Sequence, residues 1–489
     1  MKWLLFGCVL LAWAGTAYGQ ATWYVAPDGN DTTGDGSITA PWATLSRALS
    51  RAAAGDTIYL RGGQYNWSSR LDLRSAGRAD AYLHIWAYPG ETPVLHFEGN
   101  PIEGIRLRGW YIHLKGLVVQ RAGDNGIRIN GSYNIIEQVV VRENGDSGLQ
   151  LDGGAAHNLI LNVDSYRNYD PENNGENADG FAAKFGVGPG NVFRGCRAFD
   201  NSDDGFDFWE AGEGVRVEES WSFDNGYNLW NDPNFQGDSN GFKLGRGTGA
   251  HVLIRNLAWG HRANGFDVNG NQTGVTLYHN TAYRNGGQNF RFDEMNSAHV
   301  LRNNLSVDGR VLMYPPIDHA YNSWNLGLTP TAADFLSLDT TGVRGPRRPD
   351  GTLPQLDFLH PAPGSALVDA GIDVGLPYLG AAPDLGAFEF GSATTVAANQ
   401  PSTFRGFDVY PNPFRQKLAV RFELPAATEV MVSLWDLTGR EVARLVEGWH
   451  SAGVHNVQWT PPATLAAGVY LVVLQTKTHQ HRQTLVYVR

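Results

Sequence analysis

The stretches "DNGIRIN" (124–130), "DSGLQLD" (146–152), "ADGFAAK" (178–184), "DDGFDFW" (203–209), "SNGFKLG" (239–245) and "ANGFDVN" (263–269) are variants of one phrase centred on glycine. Their glycines, Gly126, Gly148, Gly180, Gly205, Gly241 and Gly265, stand 22, 32, 25, 36 and 24 residues apart. Self-similarity at such a period marks a solenoid with one repeat per coil, and the intervals of 32 and 36 imply insertions. A second column, running from "SYNIIEQVVV" through "GNVFRGCRAF" to "AHVLRNNLSV", keeps the same register. It puts Tyr166, Phe199, Phe223, Trp259 and Tyr283 at one equivalent position, an aromatic stack along the coil axis. Asn256, Asn280 and Asn304 recur every 24 residues and read as a hydrogen-bonded structural ladder. Short β segments at this period, each followed by Gly or Asn turns, predict an all-β chain folded as a parallel β-helix.

Toward the N-terminus, "TAPWATLSRALSRAAAGD" has Pro41 after Thr39 and Ala40, apolar residues at helical spacing and Gly55 at its end, so one amphipathic helix is expected there, capping the open end of the coil. Toward the C-terminus the repeat fades after about residue 310, and "FLHPAPGSALVDAGIDVGLPYLGAAPDLGAFEFG" is expected to close the domain by packing back on the helix. A small-residue linker, 393–404, then leads to alternating strands over 405–489 that read as a small β-sandwich. The opening "MKWLLFGCVLLAWAGTAYGQ" reads as a secretory signal over residues 1–19, which leaves 20–392 for the β-helix domain. Cys8 would leave with that signal, so Cys196 has no partner for an internal disulfide.

The net charge of −11 and the absence of a dense Lys/Arg tract argue against nucleic acid, and no later stretch is apolar enough to span a bilayer. An acidic chain also repels an acidic substrate unless a bound cation mediates. The aligned repeats bear on that point. Just before the glycine, successive coils carry Asn125, Ser147, Asp179, Asp204, Asn240 and Asn264; two positions after it they carry Arg128, Gln150, Ala182, Asp207, Lys243 and Asp267. With Phe181, Phe206, Phe242 and Phe266 pointing inward, strand alternation turns both columns outward.

Asp179 therefore stacks on Asp204 at the ~4.8 Å spacing of neighbouring strands, with Asp203 beside them and Asp207 next along. Stacked carboxylates repel unless a cation sits among them, and charged oxygen-only ligands favour calcium before magnesium. Asp and Asn also favour turns beside Gly, so each residue alone reads as structural. An EF-hand beginning at Asp200 fails, because Ala211 stands where a bidentate Glu is needed. Lys243 reads either as a salt-bridge partner of Asp207 or as a general base whose pKa a nearby dication depresses. The two insertions, about 169–178 and 227–240, place loops beside this patch, where they are expected to wall a cleft containing Tyr227, Asn228 and Trp230.

Residues 22 to about 390 resemble polysaccharide lyase family nine, the right-handed β-helix pectate lyases, in "WYVAPDGND", "AGDTIYLRGGQY", "NADGFAAK", "NSDDGFD", "NGFKLG" and "APDLGAFE". The resemblance implies calcium held by four aspartates and a lysine acting as Brønsted base, matched by motif to Asp179, Asp203, Asp204, Asp207 and Lys243. Lys184, Asn228, Trp230 and Arg246 are expected to touch substrate. The C-terminal "YPNPF", "LWDLTGREV", "AGVHNVQW" and "AGVYLVVL" resemble the sorting domain of the type IX secretion system. That resemblance implies export by the type IX machinery and a secreted or outer-surface-attached protein; a monomer is expected.

The expected reaction is calcium-dependent β-elimination on an acidic plant polysaccharide, polygalacturonate first and rhamnogalacturonan as the alternative. Hydrolysis by paired carboxylates is a competing reading, but no "GHG" or "RIK" phrase follows, and "GHR" at 260–262 is a poor substitute. A non-catalytic polysaccharide-binding β-helix is the third reading.

Overall fold

Gly126, Gly148, Gly180 and Gly205 each stand where a side chain of the neighbouring sheet fills the space a Cβ would need, and at Gly241 and Gly265 the backbone of the next coil does so. A Cβ on Gly126 would collide with Val141, one on Gly148 with Ser165 Oγ, and one on Gly205 with Ser222 Oγ. The repeat is therefore a packing requirement, and it sets the pairing. In unbroken parallel order Ile127 pairs with Leu149, Leu149 with Phe181, Phe181 with Phe206, Phe206 with Phe242, and Phe242 with Phe266.

The computed structural model describes residues 20–391 except 75–76 and 294–297, and residues 407–487 apart from short gaps; the expected signal (1–19) and linker (393–404) lie outside the described residues. Three long parallel sheets wind through the first part. The glycine-register sheet has ten strands, from Leu71–Leu73 to Arg310–Met313. A second ten-stranded sheet runs from Gly63–Asn66 to Leu305–Val307, and a twelve-stranded sheet from Thr22–Val25 to Asp318–Ala320. Each coil adds a strand to each sheet, which makes a parallel β-helix.

Inside, Phe181, Phe206, Phe242, Phe266 and Phe290 stack with successive centroids 4.9, 4.7, 4.8 and 5.0 Å apart, all fully buried. Burial of each such ring contributes about 1.5–3 kcal/mol, so this column helps to hold the coils in register. The second aromatic column lies on the outer face of the second ten-stranded sheet. Tyr166, Phe199, Phe223 and Trp259 stack at 4.7, 5.0 and 4.4 Å, and the column is sealed by Phe335 together with Phe358, Leu367 and Leu385 of the C-terminal closing segment.

Among the described residues the expected Asn ladder is not alone. Asn256, Asn280, Asn304 and Asn322 form the expected one, each side chain accepting the backbone amide of the coil before. Asn134, Asn158 and Asn191 form a second, and Asn144, Asn168, Asn201 and Asn225 a third. These amides satisfy turn backbone that burial would otherwise leave unpaired.

The helix is shorter than its sequence pattern suggests: it spans Leu45–Leu49, with Thr44 as N-cap. Thr44 Oγ1 accepts the Arg47 amide at 3.1 Å. Pro41 and Trp42 are not helical, because Trp42 bridges to the first strand through its backbone and stacks on Trp23. Leu45 and Ala48 still bury against the end of the coil core, so the element does cap it. Residues 407–487 form a separate pair of antiparallel sheets of three and four strands around Val420, Phe422, Val432, Leu434, Val472 and Leu474.

Candidate active site

Three consecutive strands of the glycine-register sheet, Phe181–Ala183, Phe206–Asp207 and Phe242–Lys243, bring the charged residues together. Their outward columns do face away from the coil core, yet the side chains are buried: Asp179, Asp203, Asp204, Asp207 and Lys243 are all at most 5 % exposed. The two inserted loops cover one flank. Tyr169 stacks on Trp230 at 4.7 Å and donates its hydroxyl to Asp232, while the Gln236 amide bonds the Asn174 carbonyl. Gly175, at φ +91°, makes the close approach to Phe235 that a Cβ would forbid. The loops are thus pinned to one another and form a fixed wall.

Asp179, Asp204 and Asp207 offer carboxylate oxygens within 4.8 Å of one another, as do Asp203, Asp204 and Asp238. Asp179 Oδ2 accepts Ser147 Oγ, and its Oδ1 accepts the Asp204 amide. Asp203 accepts the amides of Asn177 and Asp238, which ties both loops to the cluster. Asp204 Oδ1 accepts the backbone and side-chain nitrogens of Asn240 at 2.6 and 2.9 Å. Its Oδ2 is buried with no aligned donor, although Lys243 Nζ lies 3.1 Å away.

Five carboxylates thus surround two ammonium groups. Lys184 Nζ bridges Asp179 and Asp207 at 2.7 and 2.8 Å, and Lys243 Nζ contacts Asp238 at 2.7 Å and Asp204. Burial pushes the Asp179 carboxyl up to about 8, against the pull of Lys184 and helped by Asp207 and Asp204. Burial and the neighbouring Asp179 lift Asp203 to about 7, and burial lifts Asp204 well above the carboxylate range. Burial works against both ammonium groups, but the surrounding carboxylates outweigh it and raise both lysines above the ordinary value. The cluster holds more carboxyl groups than ammonium groups, three of them pushed toward the neutral form by burial, and a buried oxygen without an aligned donor. Those are the marks of a donor set suited to a hard dication.

The remaining expected residues fall in three places. Lys184, read from sequence as a substrate contact, instead lies inside the carboxylate cluster. Arg246 lies on the open flank, its guanidinium 4.8 Å above the Trp209 ring, and Lys243 Nζ is 5.3 Å from the same ring. Asn228 closes a loop turn by exchanging hydrogen bonds with Asp232, and Trp230 is spent on Tyr169; of that loop, Tyr227 is the half-exposed aromatic. Sequence reasoning missed Asp238 and Trp209. The first was signalled by its place two residues before the Asn240-Gly241 register, at the end of the 36-residue interval; the second by its place two residues after Asp207. His261 of "GHR" sits fully buried in the third ladder, below Asn225, and is no acid for a hydrolase.

Residues 23–304 match the family model described as Pel9A-like, right handed beta helix region, and residues 408–488 match the secretion system C-terminal sorting domain. The chain is 38 % identical to pectate lyase L of Dickeya dadantii (strain 3937) over 75 % of this chain and 90 % of that protein. Among solved structures, that of pectate lyase Pel9A is similar at 38 % identity and TM-score 0.72, covering 76 % of this chain and 97 % of its own. A rhamnogalacturonan lyase is similar at 26 % and 0.64, covering 71 % and 97 %. Among the described residues no helix is long and apolar enough to cross a membrane, and the sorting domain marks a secreted or surface-attached protein. The chain belongs to the Pel9A-like right-handed β-helix family and is a polysaccharide lyase of the pectate lyase type.

Proposed function

We propose that this protein is a calcium-dependent pectate lyase that cleaves polygalacturonate by β-elimination, with Lys243 as the base. The observation that carries the reading is the placement of Lys243 Nζ, 3.1 Å from Asp204 Oδ2 and 3.8 Å from Asp207 Oδ2, at the edge of the carboxylate cluster. Asp179, Asp203, Asp204 and Asp207 would hold the ion. Calcium bound there supplies neutralisation of the uronate carboxylate and acidifies the adjacent C5 proton.

The protein's own groups do the rest. Burial disfavours the ammonium form of Lys243, and a dication held by the four aspartates would disfavour it further, against the pull of Asp238. Lys243 Nζ then takes the C5 proton. The C5–H electron pair forms the C4–C5 double bond, and the C4–O bond breaks with its pair on the leaving oxygen, which takes a proton from water. Asp238 holds Nζ in place. Trp209 offers a ring face to the sugar, and Arg246, which forms no ion pair among the described residues, pairs with a second uronate carboxylate.

The likeness to a rhamnogalacturonan lyase keeps that backbone as the second substrate. The test is ultraviolet absorbance of digests of both polymers, with calcium and with chelator. A calcium-dependent rise on polygalacturonate supports the reading; reducing ends without absorbance point to hydrolysis, and a rise on rhamnogalacturonan alone reassigns the backbone.

A further inference from the structure

The outward face of the glycine-register sheet continues N-terminally from the carboxylate cluster, and there its charge reverses. Four arginines, Arg70, Arg74, Arg106 and Arg108, fan over the strands Leu71–Leu73 and Ile105–Leu107 and share two carboxylates. Asp72 meets Arg74 at 2.8 Å, Arg108 at 3.7 Å and Arg70 at 3.9 Å; Glu103 meets Arg70 at 2.9 Å and Arg106 at 3.1 Å. Four guanidiniums against two carboxylates leave a surplus of positive charge on a protein whose net charge is −11. Arg74 is 67 % exposed and Arg108 34 %, so donors of both remain open to solvent.

Register fixes where this fan lies. Asp72 pairs with Arg106, Arg106 with Arg128 and Arg128 with Gln150, after which Gln150 pairs with Ala182, Ala182 with Asp207 and Asp207 with Lys243. Arg106 therefore shares one outward column with Lys243, five coils away, or roughly 24 Å at the spacing of neighbouring strands. The surplus, its exposure and its alignment with the base point to a ligand carrying repeated carboxylates.

We propose that the arginine fan is a distal subsite that grips uronate carboxylates of a polymer laid along the sheet, several sugar rings from the cleaved bond. The proposal rests on the lyase reading and adds what that reading leaves open: preference for long, de-esterified chains. Guanidinium forks match carboxylates in pairs, and the two resident acids hold the fan open against its own repulsion.

The experiment compares polygalacturonate with a galacturonate trimer, which is too short to reach the fan from Lys243, in wild type and in the Arg74→Gln/Arg108→Gln double variant. The ratio of kcat/KM for polymer over trimer is expected to fall roughly five- to ten-fold, the scale of two partly exposed charge contacts. Raised salt should erase the wild-type advantage on polymer. An unchanged ratio, or equal losses on both substrates, overturns the proposal. If the double variant does not fold, Arg74→Gln alone carries the test. If wild type yields no unsaturated product, the lyase reading has failed; the fan is then judged by retardation of the same proteins in a polygalacturonate gel, where equal mobility overturns it.

Discussion

Lys184 Nζ lies 2.7 Å from Asp179 Oδ2, and both side chains are sealed from solvent. A second carboxylate, Asp207, completes the bridge at 2.8 Å. The lysine is thus an internal counter-ion between two coils. Breaking a buried pair by removing one partner costs about 3–5 kcal/mol, because the other charge is left uncompensated. Lys184→Met should therefore lower the unfolding free energy in chelator by that order, seen as a lower thermal midpoint, and calcium should restore part of the loss. A midpoint in chelator equal to wild type would contradict the role.

Asp204 separates metal binding from folding. Its Oδ1 anchors Asn240 through two hydrogen bonds, while Oδ2 has no aligned donor. Asp204→Asn keeps the anchoring oxygen and removes one charge. Calorimetric titration with calcium should show affinity weakened at least roughly ten-fold with the fold retained, since loss of one charged ligand dominates a site of this kind. Wild-type affinity in that variant would exclude Asp204 from the ion's ligands.

The fold was legible where packing imposes a residue type. The register glycines have no room for a Cβ, and the inward phenylalanines must stack, so period and pairing could be written down from the chain. The helix limits could not, because Trp42 satisfies its backbone against the first strand, a contact with no local signature. Two further Asn ladders were also hidden. Val215 and His251 interrupt one, and His261 stands in the other. Asp179, Asp203, Asp204, Asp207 and Lys243 were legible as aligned columns, but their burial was not, since it comes from loops whose mutual stacking the sequence does not encode locally.

That ladder histidine gives a pH-dependent prediction. His261 Nδ1 accepts the Asn225 amide, and burial lowers its pKa from 6.5 to about 3. The folded state keeps it neutral while the unfolded chain protonates below about 6.5, so its contribution is complete above that pH and is lost as pH falls toward about 3. Near pH 5 the loss is roughly 2 kcal/mol for this one group. His261→Asn, which places the ladder's usual residue there, should narrow the difference in thermal midpoint between neutral pH and about pH 5. A difference as wide as in wild type would show that His261 does not contribute.

Whether Lys243 removes the proton is read from the rate of unsaturated-product formation on calcium-saturated polygalacturonate by wild type and Lys243→Ala, with calcium affinity measured on both. General-base catalysis of this kind supplies roughly 10²–10⁴ in rate. With Lys243 as the base, kcat falls by that factor in Lys243→Ala while calcium stays bound; a variant that binds calcium and retains most of its kcat would show that another group takes the proton.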